Sequence, residues 1–242
     1  VFNEERVIPL FFSRITPVIE ALGSRYRVDL VFLNNASTDA SYEVIEGLRK
    51  EHPFVYVISM SANVGYQRSL ECGLRNVKGD IIAFIDVDCE DPPEMLLQFV
   101  ERYEQGYDVV YGERLDREEI LVVKMLRKLF YQIAHRVADE DVILYMAEFS
   151  LITAEVRDAM IADCNSFPFI RSSIARVGFR RTGIPYKRNR RIAGETHYNL
   201  ISMTIFGVAG ILSSSTLPLR LPIYLLPVWL AFTALLGVAQ LR

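Results

Sequence analysis

Cysteine, histidine and tryptophan are scarce in this 242-residue chain, with three Cys, three His and one Trp. Cys72, Cys89 and Cys164 lie far apart and form no CxxC pair, so neither a disulfide framework nor a zinc site is encoded, and a reducing compartment fits best. The histidines (His52, His135 and His197) are scattered and fit core or surface positions better than catalysis. An excess of one charge sign is also missing. With 27 Lys+Arg against 30 Asp+Glu the net charge is −3, which excludes a nucleic-acid binder acting through bulk basicity. The patterns GxxxxGK[ST] and GxGxxG are absent, so a P-loop and a dinucleotide-binding fold are unsupported. The chain opens at Val1 with no initiating Met and no signal-like segment, and the expectation is a fragment whose first strand is cut short.

What is present is globular. An apolar content of 51% with 11% aromatics excludes disorder, and the length suits one α/β domain plus a small addition. The even charge balance hides a strong asymmetry. Residues 164–194 hold no acid, while Arg171, Arg176, Arg180, Arg181, Lys187, Arg188, Arg190 and Arg191 gather there. Residues 221–241, LPIYLLPVWLAFTALLGVAQL, hold no charge at all, and about 20 apolar residues suffice to cross a bilayer core. Arg220 and Arg242 bracket this run, and Tyr224 and Trp229 are of the type found at interfaces. Residues 220–242 are therefore expected to form a transmembrane helix. The preceding basic segment puts the soluble domain on the cytoplasmic side. Between them, Ile201, Ile205, Val208 and Leu212 fall on one helical stripe, so 199–219 is expected to lie as an amphipathic helix in the interface plane.

Along the soluble part, apolar runs alternate with amphipathic stretches, the pattern of a mostly parallel sheet flanked by helices. Strands are expected at Val1-Phe2, 28–33, 55–59, 80–85 and 108–111, and helices at 6–22, 41–51, 67–77 and from Pro92-Pro93 to about Gln105. Polar groups collect where these strands end: Asn3-Glu4, Asn34-Asn35, Asn63, Asp86 with Asp88, and Arg114. Open α/β sheets bind ligands at that edge.

The centre of the expected site is IAFIDVDCEDPPE, 82–94. Two aspartates one residue apart at a strand end point the same way, because side-chain direction in a strand has period two. Asp86 and Asp88 can then share a divalent cation or divide between a metal and a ribose, with Glu90 as another oxygen ligand. Such hard donors suit Mg²⁺ or Mn²⁺ held jointly with substrate phosphates. An aspartyl-phosphate phosphatase is set aside, because its DxDx[TV] stands on a first strand, whereas Cys89-Glu90 follows here after three earlier strands.

Together these motifs resemble the family 2 glycosyltransferases of GT-A fold, in particular the polyprenyl-phosphate glycosyltransferases that include dolichol-phosphate mannose synthase. Val1-Phe2-Asn3-Glu4-Glu5 is similar to that family's V-[FY]-N-E-E, and 34–39 sits where it has D-D-G-S-x-D. Asn63-Val64-Gly65 is similar to N-x-G, and 86–94 to D-A-D-L-Q-D-P-P-E. Tyr111, Gly112, Arg114 and Arg117 resemble Y-G-x-R-x-x-R, and Arg191, Gly194, Glu195, Thr196 and Tyr198 resemble R-x-x-G-E-S-x-Y. The nine-residue acidic motif carries most of the specificity. The resemblance implies a nucleotide pocket lined by Phe2, Glu4, Asn34, Asn63 and Asp86, and a metal held by Asp88 with Glu90 in place of the family's Gln. The sequence departs from the pattern at Asn34-Asn35, where an aspartate pair is usual, and at 148–151, where E-F-S-L replaces D-F-R-L. Glu148 keeps a carboxylate there, with an acid or base role in view.

The chemistry so implied is attack by a polyprenyl-phosphate oxygen on the anomeric carbon of a nucleotide-sugar, with inversion and loss of a nucleoside diphosphate. UDP-sugars are the favoured donors, and GDP-mannose is an alternative. A phosphate monoester has its second pKa near ~6, so the nucleophile is already largely ionised and a general base is dispensable. Stabilising the leaving charge falls to the metal and to guanidinium forks, for which Arg114, Arg117 and Arg191 are the candidates and Arg188 a reserve. The implied partners are the donor, the lipid acceptor and the inner membrane of a bacterium, with a homo-oligomer allowed and nucleic acid excluded. Lys124 to Ile133 offers a basic and apolar face for the same interface, or an ordinary packed helix. Two other readings stay open: a non-catalytic nucleotide-sugar-binding membrane subunit, and a transferase of the same fold acting on a glycan, although no QxxRW-like segment occurs.

Overall fold

The computed structural model describes residues 1–114, 146–163, 169–189 and 217–240, the last with side chains at 220–227, 229, 230, 232 and 233. Two compact units divide them, with 217–240 in the second.

The first unit opens with α1 (Ile8–Leu22), whose Pro9 sits in the first turn, where a missing N–H costs nothing. Its buried residues Ile8, Phe11, Ile15, Val18 and Leu22 recur every three or four positions, which makes one apolar stripe. There follow β1 (Leu30–Asn34), α2 (Ser41–Glu51), β2 (Val55–Ser59), α3 (Tyr66–Asn76), β3 (Ile81–Phe84), α4 (Met95–Glu104) and β4 (Val109–Arg114). After the undescribed stretch come β5 (Met146–Thr153), α5 (Ala154–Ala162), α6 (Ile170–Val177) and β6 (Arg181–Tyr186).

Strands β1 and β2 pair in parallel, Leu30 beside Val55. The other four form a sheet in the order β3-β5-β4-β6. There β4 and β6 are parallel, while β5 runs antiparallel to both β3 and β4. All strands of this sheet but β5 therefore share one direction, and the fold is α/β with a mostly parallel sheet. Val1 also behaves as the end of a strand: its nitrogen donates to the Leu33 carbonyl and its carbonyl accepts from Asn35 N, the parallel pattern on either side of Asn34.

Every residue of β5 is buried, and its two faces serve two cores. Ala147, Phe149 and Leu151 pack with Phe11 of α1 and Phe99 of α4, whereas Met146 and Ile152 pack with Leu74 of α3, Val156 of α5 and Ile174 of α6. The period-two alternation thus puts Glu148 on the α3/α6 side.

In the second unit, α7 (Leu217–Gln240) covers most of the expected span. Among the described residues no helix is long and apolar enough to cross a membrane. The expected interfacial helix 199–219 and the 124–133 face lie outside the described residues, apart from the start of α7.

Candidate active site

Strand β3 ends at Phe84, two residues before Asp86, so the alternation expected to align Asp86 and Asp88 does not run through them. A turn at Val87 and Asp88 follows Asp86 instead. Cys89 is fully buried and adopts a left-handed φ of 55°, a conformation that costs a non-glycine residue on the order of 1 kcal/mol. Asp88 Oδ1 accepts from Glu90 N at 3.0 Å, closing the loop two residues on. Pro92 and Pro93 then lead into α4, their carbonyls accepting from Met95 N and Leu96 N.

This turn concentrates negative charge. Burial first, then the neighbouring charges of Asp88, Asp91 and Glu148, push the Asp86 carboxyl up to about 7, against the hydrogen bond that Tyr66 donates to its Oδ1 at 3.1 Å. Charge-matching comes from the ends of β4 and β6. Asp91 is 1% exposed and accepts from the Tyr186 hydroxyl at Oδ1, while Arg114 Nη2 lies 3.4 Å from its Oδ2. Arg114 Nε donates to the same Tyr186 oxygen at 3.3 Å. Burial opposes the Arg114 charge, but Asp91 and Tyr186 more than offset it and hold the guanidinium above its ordinary range. Burial and the Asp91 carboxylate likewise raise Tyr186, which stays a neutral donor. Arg188 follows β6, with Nη1 2.6 Å from Glu90 Oε2 and Nε 3.6 Å from Asp91 Oδ1. That Nε is buried without a hydrogen-bond acceptor among the described residues.

Asp86, Asp88, Asp91 and Glu148 thus share one electrostatic neighbourhood, with Arg114 acting on Asp91 and Glu148. Glu90, expected as a metal ligand, already has its charge met by Arg188. Glu148 is 5% exposed and takes two short bonds from Arg171, 2.7 Å from Nε to Oε1 and 2.6 Å from Nη2 to Oε2. Gln67 Nε2 adds a third at 3.3 Å, and Gln67 Oε1 accepts from Ile170 N. Glu148 therefore ties β5 to α3 and α6.

The amide residues form a second group. Asn34 is 3% exposed and spends its carboxamide inward, donating to Ser59 Oγ at 2.9 Å and accepting from Ser37 N at 3.2 Å. Asn35 donates to Asn63 Oδ1, which also accepts from Gly65 N. Gly65 has φ 83° and opens α3, a conformation that side chains resist. Asn3 also has φ 55°; its Oδ1 accepts from Thr38 N, and Glu4 N donates to Ser41 Oγ, which clasps Asn3 and Glu4 to the loop after β1 and to the start of α2. Buried Glu4 and half-buried Phe2 stand in this segment. Arg117 and Arg191 lie outside the described residues.

Asp91, Tyr186 and Tyr66 were not singled out from the sequence, and Arg171 was named only within the basic run. Asp91 carried one usable signal, an acid immediately before Pro-Pro. Tyr186 carried none, since its partner is 95 residues away in the chain.

Among the described residues no cluster of three or more His, Cys, Asp or Glu side chains is arranged to hold a metal alone. A hard ion shared with phosphate oxygens needs only one or two carboxylates, and the oxygen-only donor set of this turn fits that arrangement.

The chain belongs to glycosyl transferase family 2, whose model matches residues 1–178. It is 34% identical to the uncharacterized glycosyltransferase YkcC of Bacillus subtilis (strain 168) over 225 residues, 93% of this chain and 69% of that protein. It is 31% identical to a prophage bactoprenol glucosyl transferase homolog of Escherichia coli (strain K12), over 93% of this chain and 73% of that protein. Among solved structures it resembles glucosyl-3-phosphoglycerate synthase from Mycobacterium tuberculosis in complex with Mn²⁺, UDP-glucose and phosphoglyceric acid, with a TM-score of 0.58 and 17% identity over 88% of this chain and 76% of that one. It also resembles the mannosyltransferase PcManGT from Pyrobaculum calidifontis in complex with GDP-Man and Mn²⁺, with a TM-score of 0.52 and 16% identity over 81% of this chain and 56% of that one. These two likenesses establish the GT-A-like fold.

Proposed function

We propose that this chain is a metal-dependent, inverting glycosyltransferase that moves a sugar from a nucleotide-sugar to a polyprenyl phosphate at the cytoplasmic face of a membrane. The observation that carries the reading is the 86–91 turn, a concentration of carboxylates flanked by the guanidiniums of Arg114 and Arg188 at the ends of β4 and β6. A nucleoside diphosphate bound through a divalent ion calls for both signs, carboxylates for the ion and guanidiniums for the phosphate oxygens. Relatives named as bactoprenol glucosyl transferases favour a polyprenyl phosphate as acceptor.

In this reading Mg²⁺ or Mn²⁺ is held by Asp88 and the donor phosphates, and when bound it supplies neutralisation of the leaving charge. Glu90 joins the ligands only on release from Arg188. Asp86, with Phe2, Glu4 and Asn63, borders the nucleoside; Asn34 supports that wall from behind. Arg114 sets a planar fork against a phosphate oxygen, and Arg117 and Arg191 extend the basic wall toward the lipid. The acceptor phosphate attacks as the dianion and inverts the anomeric centre. Glu148 positions and does not transfer a proton. Solved neighbours with UDP-glucose and with GDP-Man keep both bases in view, and the glucosyl relatives favour UDP-glucose.

The anchor in this account is the C-terminal part: a catalytic domain over 1–198, an interfacial segment over 199–219 and a span over 220–242. Its support is the uncharged run 221–241 and the exposure of Leu221, Ile223, Leu225, Leu226 and Phe232 on α7. The test is a thermal-shift panel of UDP-glucose and GDP-mannose with and without Mn²⁺. A rise in Tm confined to one donor with Mn²⁺ supports the reading, whereas no rise with either donor contradicts it.

A further inference from the structure

The Tyr186 hydroxyl lies between two charges, one at the end of β4 and one in the turn that precedes α4. It donates to Asp91 Oδ1 and accepts from Arg114 Nε at 3.3 Å. Its ring is fixed on two sides. A Cβ on Gly112 would come within 2.6 Å of Tyr186 Cε1, and Phe149 meets the ring edge-on at a centroid distance of 6.1 Å. The residue is 6% exposed, and Asp91 beneath it is 1% exposed. Arg114, by contrast, keeps a third of its side chain open to solvent, and its Nη1 has no acceptor among the described residues.

A guanidinium with one edge pinned and the other free is a ready anion ligand. An exposed arginine ordinarily gives up rotamer freedom when it grips phosphate. Here Nε and Nη2 are already placed by Tyr186 and Asp91, so the free edge presents its N–H in a set plane. Reaction rates are sensitive to such placement, and misplacement by about 1 Å costs up to ~100-fold.

We propose that Tyr186, seated on Asp91, is a positioning residue that acts through Arg114, fixing the guanidinium plane for a phosphate oxygen of the donor. The proposal rests on the reading of Arg114 as a phosphate ligand given above. Tyr186 touches no substrate; its whole effect passes through Arg114.

A double-mutant cycle on the full chain tests it. Tyr186→Phe, Arg114→Lys and the double variant are assayed for kcat/KM with UDP-glucose and undecaprenyl phosphate, and for UDP affinity in Mn²⁺ by calorimetry. Tyr186→Phe keeps the ring and its packing, so folding is retained, and Tm is followed for each variant. Tyr186→Phe is expected to lower kcat/KM about tenfold, and the double variant to match Arg114→Lys within about twofold. UDP affinity should repeat the same non-additivity, which gives a readout independent of turnover. Losses that multiply, with Arg114→Lys itself impaired, overturn the role of Tyr186 and leave the role of Arg114 standing. Wild-type values in Arg114→Lys overturn both.

Discussion

Arg114 and Tyr186 are register partners on the parallel strands β4 and β6, and both reach the same buried carboxylate, Asp91. Strand pairing, which is a backbone matter, therefore sets the side-chain geometry at the rim of the acidic turn. Because β6 is the outermost strand of its sheet, the site depends on a pairing with no second neighbour to reinforce it among the described strands.

Gly112 lies at the centre of that dependence. Replacing it with Ala puts a methyl 2.6 Å from the Tyr186 ring, which is held by Phe149 and by its own hydroxyl. Gly112→Ala should cost about 1–3 kcal/mol in urea unfolding, the usual range for overpacking, and should lower transfer more than Tyr186→Phe does. Unfolding at the wild-type midpoint would show that the ring moves aside freely.

Asp88 is half-buried, with one oxygen committed to the Glu90 amide. Asp88→Asn keeps the shape of the turn and removes the ion's charged ligand. The expected result is a loss of about 100-fold or more in transfer together with weakened Mn²⁺ binding by calorimetry. Unchanged Mn²⁺ affinity would remove Asp88 from the metal site.

Glu148→Gln removes the charge that faces Arg171 and leaves it one acceptor oxygen in place of two. Arg171 is 30% exposed on its side chain and can rehydrate in part, so the stability loss should be about 2 kcal/mol, short of that for a fully buried pair. Turnover per folded molecule should stay within about threefold. A proton-transfer role predicts the reverse, a loss of about 100-fold or more with little change in stability.

The pH dependence follows from Asp86. Its folded-state pKa of about 7 lies above the ordinary Asp value, so between the two the metal-free native state binds more protons than the unfolded one. Stability from this group is present below about pH 4 and is lost as pH rises through about 7. Melting of the metal-free protein should therefore show Tm falling from pH 5 to pH 8, with the fall largely abolished in Asp86→Asn. An identical slope in that variant would refute the assignment.

Much of this was legible in the sequence where signals are local. Helix 41–51 and strand 55–59 match their expected bounds, because an amphipathic stripe and a β-branched run declare themselves within a dozen residues. Strand β5 was not read. Burial on both faces removes the alternation that marks a strand, and its place between β3 and β4 is a non-local fact. Strand β6 carries Gly183 and Pro185, which argue against a strand but are tolerated at an edge. In the site, the acidic turn was found from its spacing. The inward commitment of Asn34 and the pairing of Glu90 with Arg188 depend on partners that only folding brings near.

The most direct measurement is the passage of radiolabelled glucose from UDP-glucose into an organic-extractable product, with undecaprenyl phosphate present or omitted and Mn²⁺ present or chelated. Metal-dependent transfer to the lipid gives extractable label only when lipid and metal are both supplied. Label that enters the organic phase equally well under chelation, or none under any condition when GDP-mannose is tried as well, would contradict it.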